Sequence, residues 1–146
     1  MPRYMIQVRA TAMSEAGEFP DDPTLVPRMM AFHDEMARAG VLLDGAGLMP
    51  SSQGFRVQYD AAGRGRVVDG PFAESKELIA GYTLINVSSH AEALAWARRF
   101  PAPFPGQDCC IEVRPLMGGV DLPPEDAERL IREQLAAIRQ DVRQDG

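Results

Sequence analysis

Residues 69–77 read Asp69-Gly70-Pro71-Phe72-Ala73-Glu74-Ser75-Lys76-Glu77, and this block divides the chain into two halves of similar plan. Gly70 can take dihedrals closed to other residues, while Pro71 fixes its own φ and keeps Gly70 out of the α region, so a backbone reversal is expected here. Phe72 is the only large apolar side chain of the block and is expected to anchor the loop to the core, holding the Asp69 carboxylate in place.

Immediately upstream, Phe55–Tyr59 and Gly65–Val68 are short strands joined by Asp60-Ala61-Ala62-Gly63-Arg64, a hairpin signal. Before them, Arg3–Thr11 alternates with Tyr4, Ile6 and Val8 on one face and Met5, Gln7 and Arg9 on the other, the mark of a strand with two unlike faces. Ser14–Pro23 reads as a loop rich in Gly, Pro and acidic residues. A helix is predicted from Thr24 to Ala39, with Pro27 in its first turn, Gly40 as its stop, and an apolar stripe of Leu25, Met29, Phe32 and Met36. Val41–Leu48 follows as a strand.

Downstream, Leu78–Val87 is a strand, and Ser89 with Glu92 forms a capping box for a helix running to Phe100. The Pro-rich stretch 101–106 ends that helix, and Cys109–Arg114 is the last strand. The order β-α-β, hairpin insertion, β-α-β is the split βαβ, ferredoxin-like α+β plan, with two helices covering one face of an antiparallel sheet. The uncovered face would carry Gln7 and Arg9 on one strand and Asp108, Cys110, Glu112 and Arg114 on another. Such a face is too apolar to leave wet and too polar for a sealed core, so packing against a second copy, as a dimeric barrel with a central cavity, resolves the conflict.

After Pro115 the composition shifts. Gly118-Gly119 and Pro123-Pro124 form a linker, and Glu125–Val142 is an amphipathic helix whose Ile131, Leu135, Ile138 and Val142 step by four, three and four. The expected division is therefore a domain over 1–116 and a linker with helix over 117–146.

The 146 residues suit a single core, and 45% hydrophobic with 25% charged residues excludes wholesale disorder. A net charge of −6 argues against direct nucleic-acid binding. No stretch is long and apolar enough to span a bilayer, and Met1-Pro2-Arg3-Tyr4 enters a strand pattern without the apolar run of a signal peptide, so a cytoplasmic protein is expected. Adjacent Cys109 and Cys110 have no spaced Cys or His partner, so they read as reduced packing residues, and neither metal nor cofactor is expected.

The 69–77 block also resembles the signature of the YCII-related superfamily, in its DGPF-domain branch. Further similarity lies in 32–40 (Phe-His-Asp-Glu-Met-Ala-Arg-Ala-Gly), in 41–50, in Gly81-Tyr82-Thr83-Leu84-Ile85, in 92–97, and in Ile111-Glu112-Val113-Arg114-Pro115-Leu116. The resemblance covers residues 3–116. It implies a dimeric α/β barrel with a cleft of enzymatic or ligand-binding use. In the wider superfamily it implies a catalytic His–Asp pair, with a dehydrochlorinase of muconate-like acids among the relatives, and DGPF relatives often neighbour sigma-factor genes.

Taken on their chemistry, His33 and Asp69 are the candidates for moving protons; the alternatives are a structural histidine and an aspartate that caps its own turn. Arg9, Lys76, Glu112 and Arg114 are candidates for binding a small anion, against a solvated ion-pair cluster for Lys76 and a strand-to-strand charge ladder for the others. Gly45-x-Gly47 lacks the glycines and the strand–helix context of a nucleotide loop. The leading expectation is a homodimer or higher homo-oligomer binding a small anionic compound, with cofactor-free isomerisation or elimination. The second is a ligand-sensing or regulatory module linked to sigma-factor-dependent transcription.

Overall fold

The computed structural model describes residues 1–117 and 124–144. The chain divides into two compact units, Met1–Pro115 and Leu116–Gly146.

The first unit runs β1 (Arg3–Arg9), α1 (Ala12–Glu15), α2 (Leu25–Arg38), β2 (Leu42–Gly47), β3 (Phe55–Tyr59), β4 (Gly65–Asp69), β5 (Ile79–Asn86), α3 (His90–Arg99) and β6 (Ile111–Pro115). Four strands form one sheet in the order β2-β5-β1-β6, every neighbouring pair antiparallel, while β3 and β4 pair as a separate two-stranded hairpin. Each β-α-β half thus leaves a gap that a strand of the other half fills, which is the ferredoxin-like α+β arrangement.

Alternation gives the sheet two unlike faces, and the helices cover one of them. Tyr4 and Ile6 of β1 and Thr83 and Ile85 of β5 are buried, and the apolar members among them pack with Phe32 and Met36 of α2 and Ala93 of α3, joined by Val41 and Val87. Met5, Gln7, Tyr82, Leu84 and Glu112 point the other way, are half-buried, and lie outside this cluster. Helix α2 stops where Gly40, at φ 73°, turns the chain. The Gly40 N–H donates to the Ala37 carbonyl and the Val41 N–H to the Met36 carbonyl, a Schellman closure that drops Val41 into the core beside Met36.

Several local expectations change. The stretch read as loop from Ser14 contains the end of α1, capped at Thr11, whose side chain accepts from the Ser14 N–H. The reciprocal half of the α3 cap is displaced by one residue: Ser89 accepts the Glu92 N–H, but the Glu92 carboxylate accepts from the N–H and hydroxyl of Ser88. The last strand begins at Ile111, so both cysteines precede it, although the Arg9 N–H still reaches the Cys110 carbonyl. Phe72 is not a core anchor. It is half-buried, outside the core cluster, and lies under the Arg56 guanidinium at 3.7 Å from its ring centre.

In the second unit, α4 spans Pro124–Gln144 and carries the Arg132–Glu128 and Arg129–Glu133 ion pairs along its surface. Ile131, Leu135 and Ile138 are exposed on it, at 58%, 48% and 57%. Residues 118–123 of the expected linker, and the Val142 side chain, lie outside the described residues. Among those described, no helix is long and apolar enough to cross a membrane.

Candidate functional site

His33 projects from α2 toward the sheet, and both of its ring nitrogens are engaged. Nδ1 lies 2.8 Å from the Met29 carbonyl oxygen one turn back, and Nε2 lies 2.8 Å from Thr83 Oγ on β5. A carbonyl only accepts, so Nδ1 must carry a proton; in the neutral ring Nε2 is then the acceptor and the Thr83 hydroxyl the donor. The ring is held further by edge contacts with Phe32 and Phe100, at 6.2 and 5.9 Å between centroids.

The pair opens onto a cleft of about 280 Å³ lined by Val8, Met29, His33, Gly45–Gly47, Gly81–Thr83 and Phe100. Glycine makes this space. A methyl on Gly45 would stand 3.6 Å from Thr83 Oγ and 3.7 Å from His33 Cδ2, covering the pair, and a methyl on Gly47 would project into the open. Gly81 is tighter: a Cβ there would meet the Ala46 carbonyl at 3.0 Å. The dipeptide spacing Gly45-x-Gly47, empty as a nucleotide signal, therefore matters as absent bulk. Thr83 and these glycines carry no chemical signature in the sequence, and only their position opposite a helix histidine exposes their role.

The expected site residues fall on different surfaces. His33 is on the helix-covered side. Arg9 and Glu112 lie on the opposite face, 4.0 Å apart, and Arg9 also donates to the Lys76 carbonyl through a short hydrogen bond. Arg9, Glu112 and the backbone of Lys76 are thus brought together, whereas the Lys76 side chain and Arg114 are exposed. Asp69 ends β4 opposite Phe55, exposed, with no side-chain hydrogen bond or ion pair among the described residues. The ring nitrogens of His33 bond to Met29 and Thr83 rather than to Asp69. On the sheet's outer face the Tyr82 hydroxyl donates to Asp44 at 3.2 Å, and that carboxylate raises the phenol above its ordinary pKa. His90, at the start of α3, meets the Tyr4 hydroxyl at 3.4 Å.

The 69–77 block has a different task. Its Gly70 N–H donates to the Gly54 carbonyl, and the Phe72 N–H donates to Ser51 Oγ at 3.0 Å. Ser51 in turn donates its N–H and its hydroxyl to the Glu15 carboxylate. These bonds tie the block to the 51–54 turn and to α1, and none of its side chains lines the cleft at His33.

The YCII-related domain family matches this chain over residues 3–117. A relative described as an uncharacterized protein of Rhizobium meliloti (strain 1021) is 35% identical over 96 residues, covering 66% of this chain and 76% of the relative.

Proposed function

This chain belongs to the YCII-related domain family, and from that premise we propose that its working site is the His33–Thr83 cleft and its chemistry cofactor-free proton transfer on the hydroxyl or enol of a small compound. The observation that carries this reading is the Nδ1–H bond from His33 to the Met29 carbonyl, which leaves Nε2 to Thr83. With the ring neutral, the Thr83 O–H donates a hydrogen bond to Nε2 and its oxygen accepts a hydrogen bond from the ligand's hydroxyl. As the ligand's proton passes to Thr83 Oγ, the proton already on Thr83 passes to Nε2. In the resulting imidazolium, Nδ1–H stays on Met29 and Nε2–H donates to Thr83, whose hydroxyl is then free to donate to an oxyanion. One pair removes a proton at one position and returns it at another, as isomerisation or elimination requires.

The enol of phenylacetaldehyde, which is uncharged, is a suitable probe, with ketonisation followed by ultraviolet absorbance. The protein should accelerate it, and Thr83→Val or His33→Gln should each remove the acceleration, general acid–base groups contributing typically about 10²–10⁴-fold. Binding of the probe without turnover in the unaltered protein would favour the ligand-sensing reading instead. Acceleration that survives both changes would refute the cleft as the site.

We assign the opposite sheet face, with Met5, Gln7, Arg9, Tyr82 and Glu112, to contact with a second copy of the chain. Its mixed polarity supports this, as does its position outside the core cluster. Any small anion held by Arg9, Lys76 or Arg114 would bind on that side. A stable monomer in sedimentation at micromolar concentration would exclude the assignment.

A further inference from the structure

Beside the cleft lies a second cavity of about 460 Å³, which runs between the start of α2 and the segments following α1 and β2. Its walls include Leu25, Met29, Met30, Leu48, Met49 and Phe104, and among the described residues Ser14 and Glu18 are its only polar side chains. The two cavities share Val8, Met29 and Gly47, so they meet at the end of β2. At that junction Gly47 places nothing in the way: a Cβ there would find no atom within 4 Å.

This inference rests on the His33–Thr83 reading above. We infer that the two cavities hold a single elongated ligand, its hydroxyl at Thr83 and its hydrocarbon body in the groove beyond Gly47. Polarity sets the orientation, since the hydrogen-bonding pair is at one end and the other end is walled by hydrocarbon and thioether. Among the described residues no arginine or lysine lines either cavity, so the body of the ligand is uncharged, and Glu18 disfavours an anionic tail. The volumes together suit a small molecule, ligand pockets running at about 300–1,000 Å³. A peptide segment laid along the groove would have no use for the buried Thr83 at its end. Unbranched Met29, Met30 and Met49 can adjust to chains of different shape.

Straight-chain 1-alkanols from ethanol to decanol, titrated by calorimetry, test this. In the unaltered protein, affinity should rise about fourfold per added methylene until the groove is full. Val26→Trp, which fills the groove from an exposed position on α2 outside the cleft lining, should abolish that rise while leaving the short alcohols bound. Thr83→Val should weaken the whole series evenly, because it removes only the head-group contact. Affinity that does not grow with length, or growth that persists in Val26→Trp, overturns the inference and leaves the cleft reading intact. Affinity unaffected by Thr83→Val, or no binding by any member of the series, overturns both.

Discussion

Gly70 lies so close to Ser51 that a Cβ on Gly70 would stand 2.6 Å from the Ser51 carbonyl carbon. That relationship explains the block that stands out in the sequence. The backbone of 69–72 passes directly over the 51–54 turn, and Ser51 answers with a hydroxyl that accepts from Phe72 while donating to Glu15. Gly70→Ala must push rigid backbone rather than a flexible side chain. We expect it to destabilise the protein by about 1–3 kcal/mol, the usual cost of overpacking. Chemical denaturation checks this, and an unchanged midpoint would contradict the close approach.

Thr83→Val should report on the histidine even without a substrate. Thr83 is 3% exposed, and valine keeps its shape but leaves Nε2 with no donor. The expected loss of stability is about 1–3 kcal/mol, as for a buried polar group deprived of its partner. Nitrogen NMR of the His33 ring should show the proton still on Nδ1, because the Met29 carbonyl is untouched, with the Nε2 resonance moved by loss of the Thr83 bond.

Glu92 makes acid stability testable. The hydroxyl of Ser88 first, and then its N–H, hold the Glu92 carboxylate below its ordinary pKa. A carboxylate depressed in the folded state contributes stability that is present above its unfolded pKa, about 4.3, and lost as pH falls through the folded value. Glu92→Gln should therefore unfold more easily near neutrality. That deficit should shrink as pH falls below about 4, which thermal melts across the acid range would show.

Deleting residues 117–146 is expected to lower the melting temperature or the oligomer size. Helices in proteins draw most of their stability from packing an amphipathic face, and Ile131, Leu135 and Ile138 leave the apolar seam of α4 exposed. Burial of each side chain against a second copy would contribute about 1.5–3 kcal/mol. Sedimentation and melting of the truncated chain decide the matter, and no change in either would make the helix an appendage.

The sequence by itself determined the order of the strands and of the two long helices of the first unit, though not α1. The alternation of 3–11, the stripe from Leu25 to Met36 closed by Gly40, and the hairpin 55–68 are local periodicities, set by which side chains must leave water within one turn or one pleat. From that order the ferredoxin-like plan follows, because few topologies let both helices cover one face of the sheet. His33 was legible as a titratable group beside an apolar stripe. Its partner was not, since Thr83 lies fifty residues away and becomes a partner only when β5 enters the sheet centre beneath α2. The cleft was equally hidden, because Gly45, Gly47 and Gly81 act through missing volume, which has meaning only once neighbours surround it. Tertiary structure also placed His33 on one side of the sheet and the Arg9–Glu112 pair on the other. A strand's alternation separates its two faces, but only the docking of the helices decides which of them is covered.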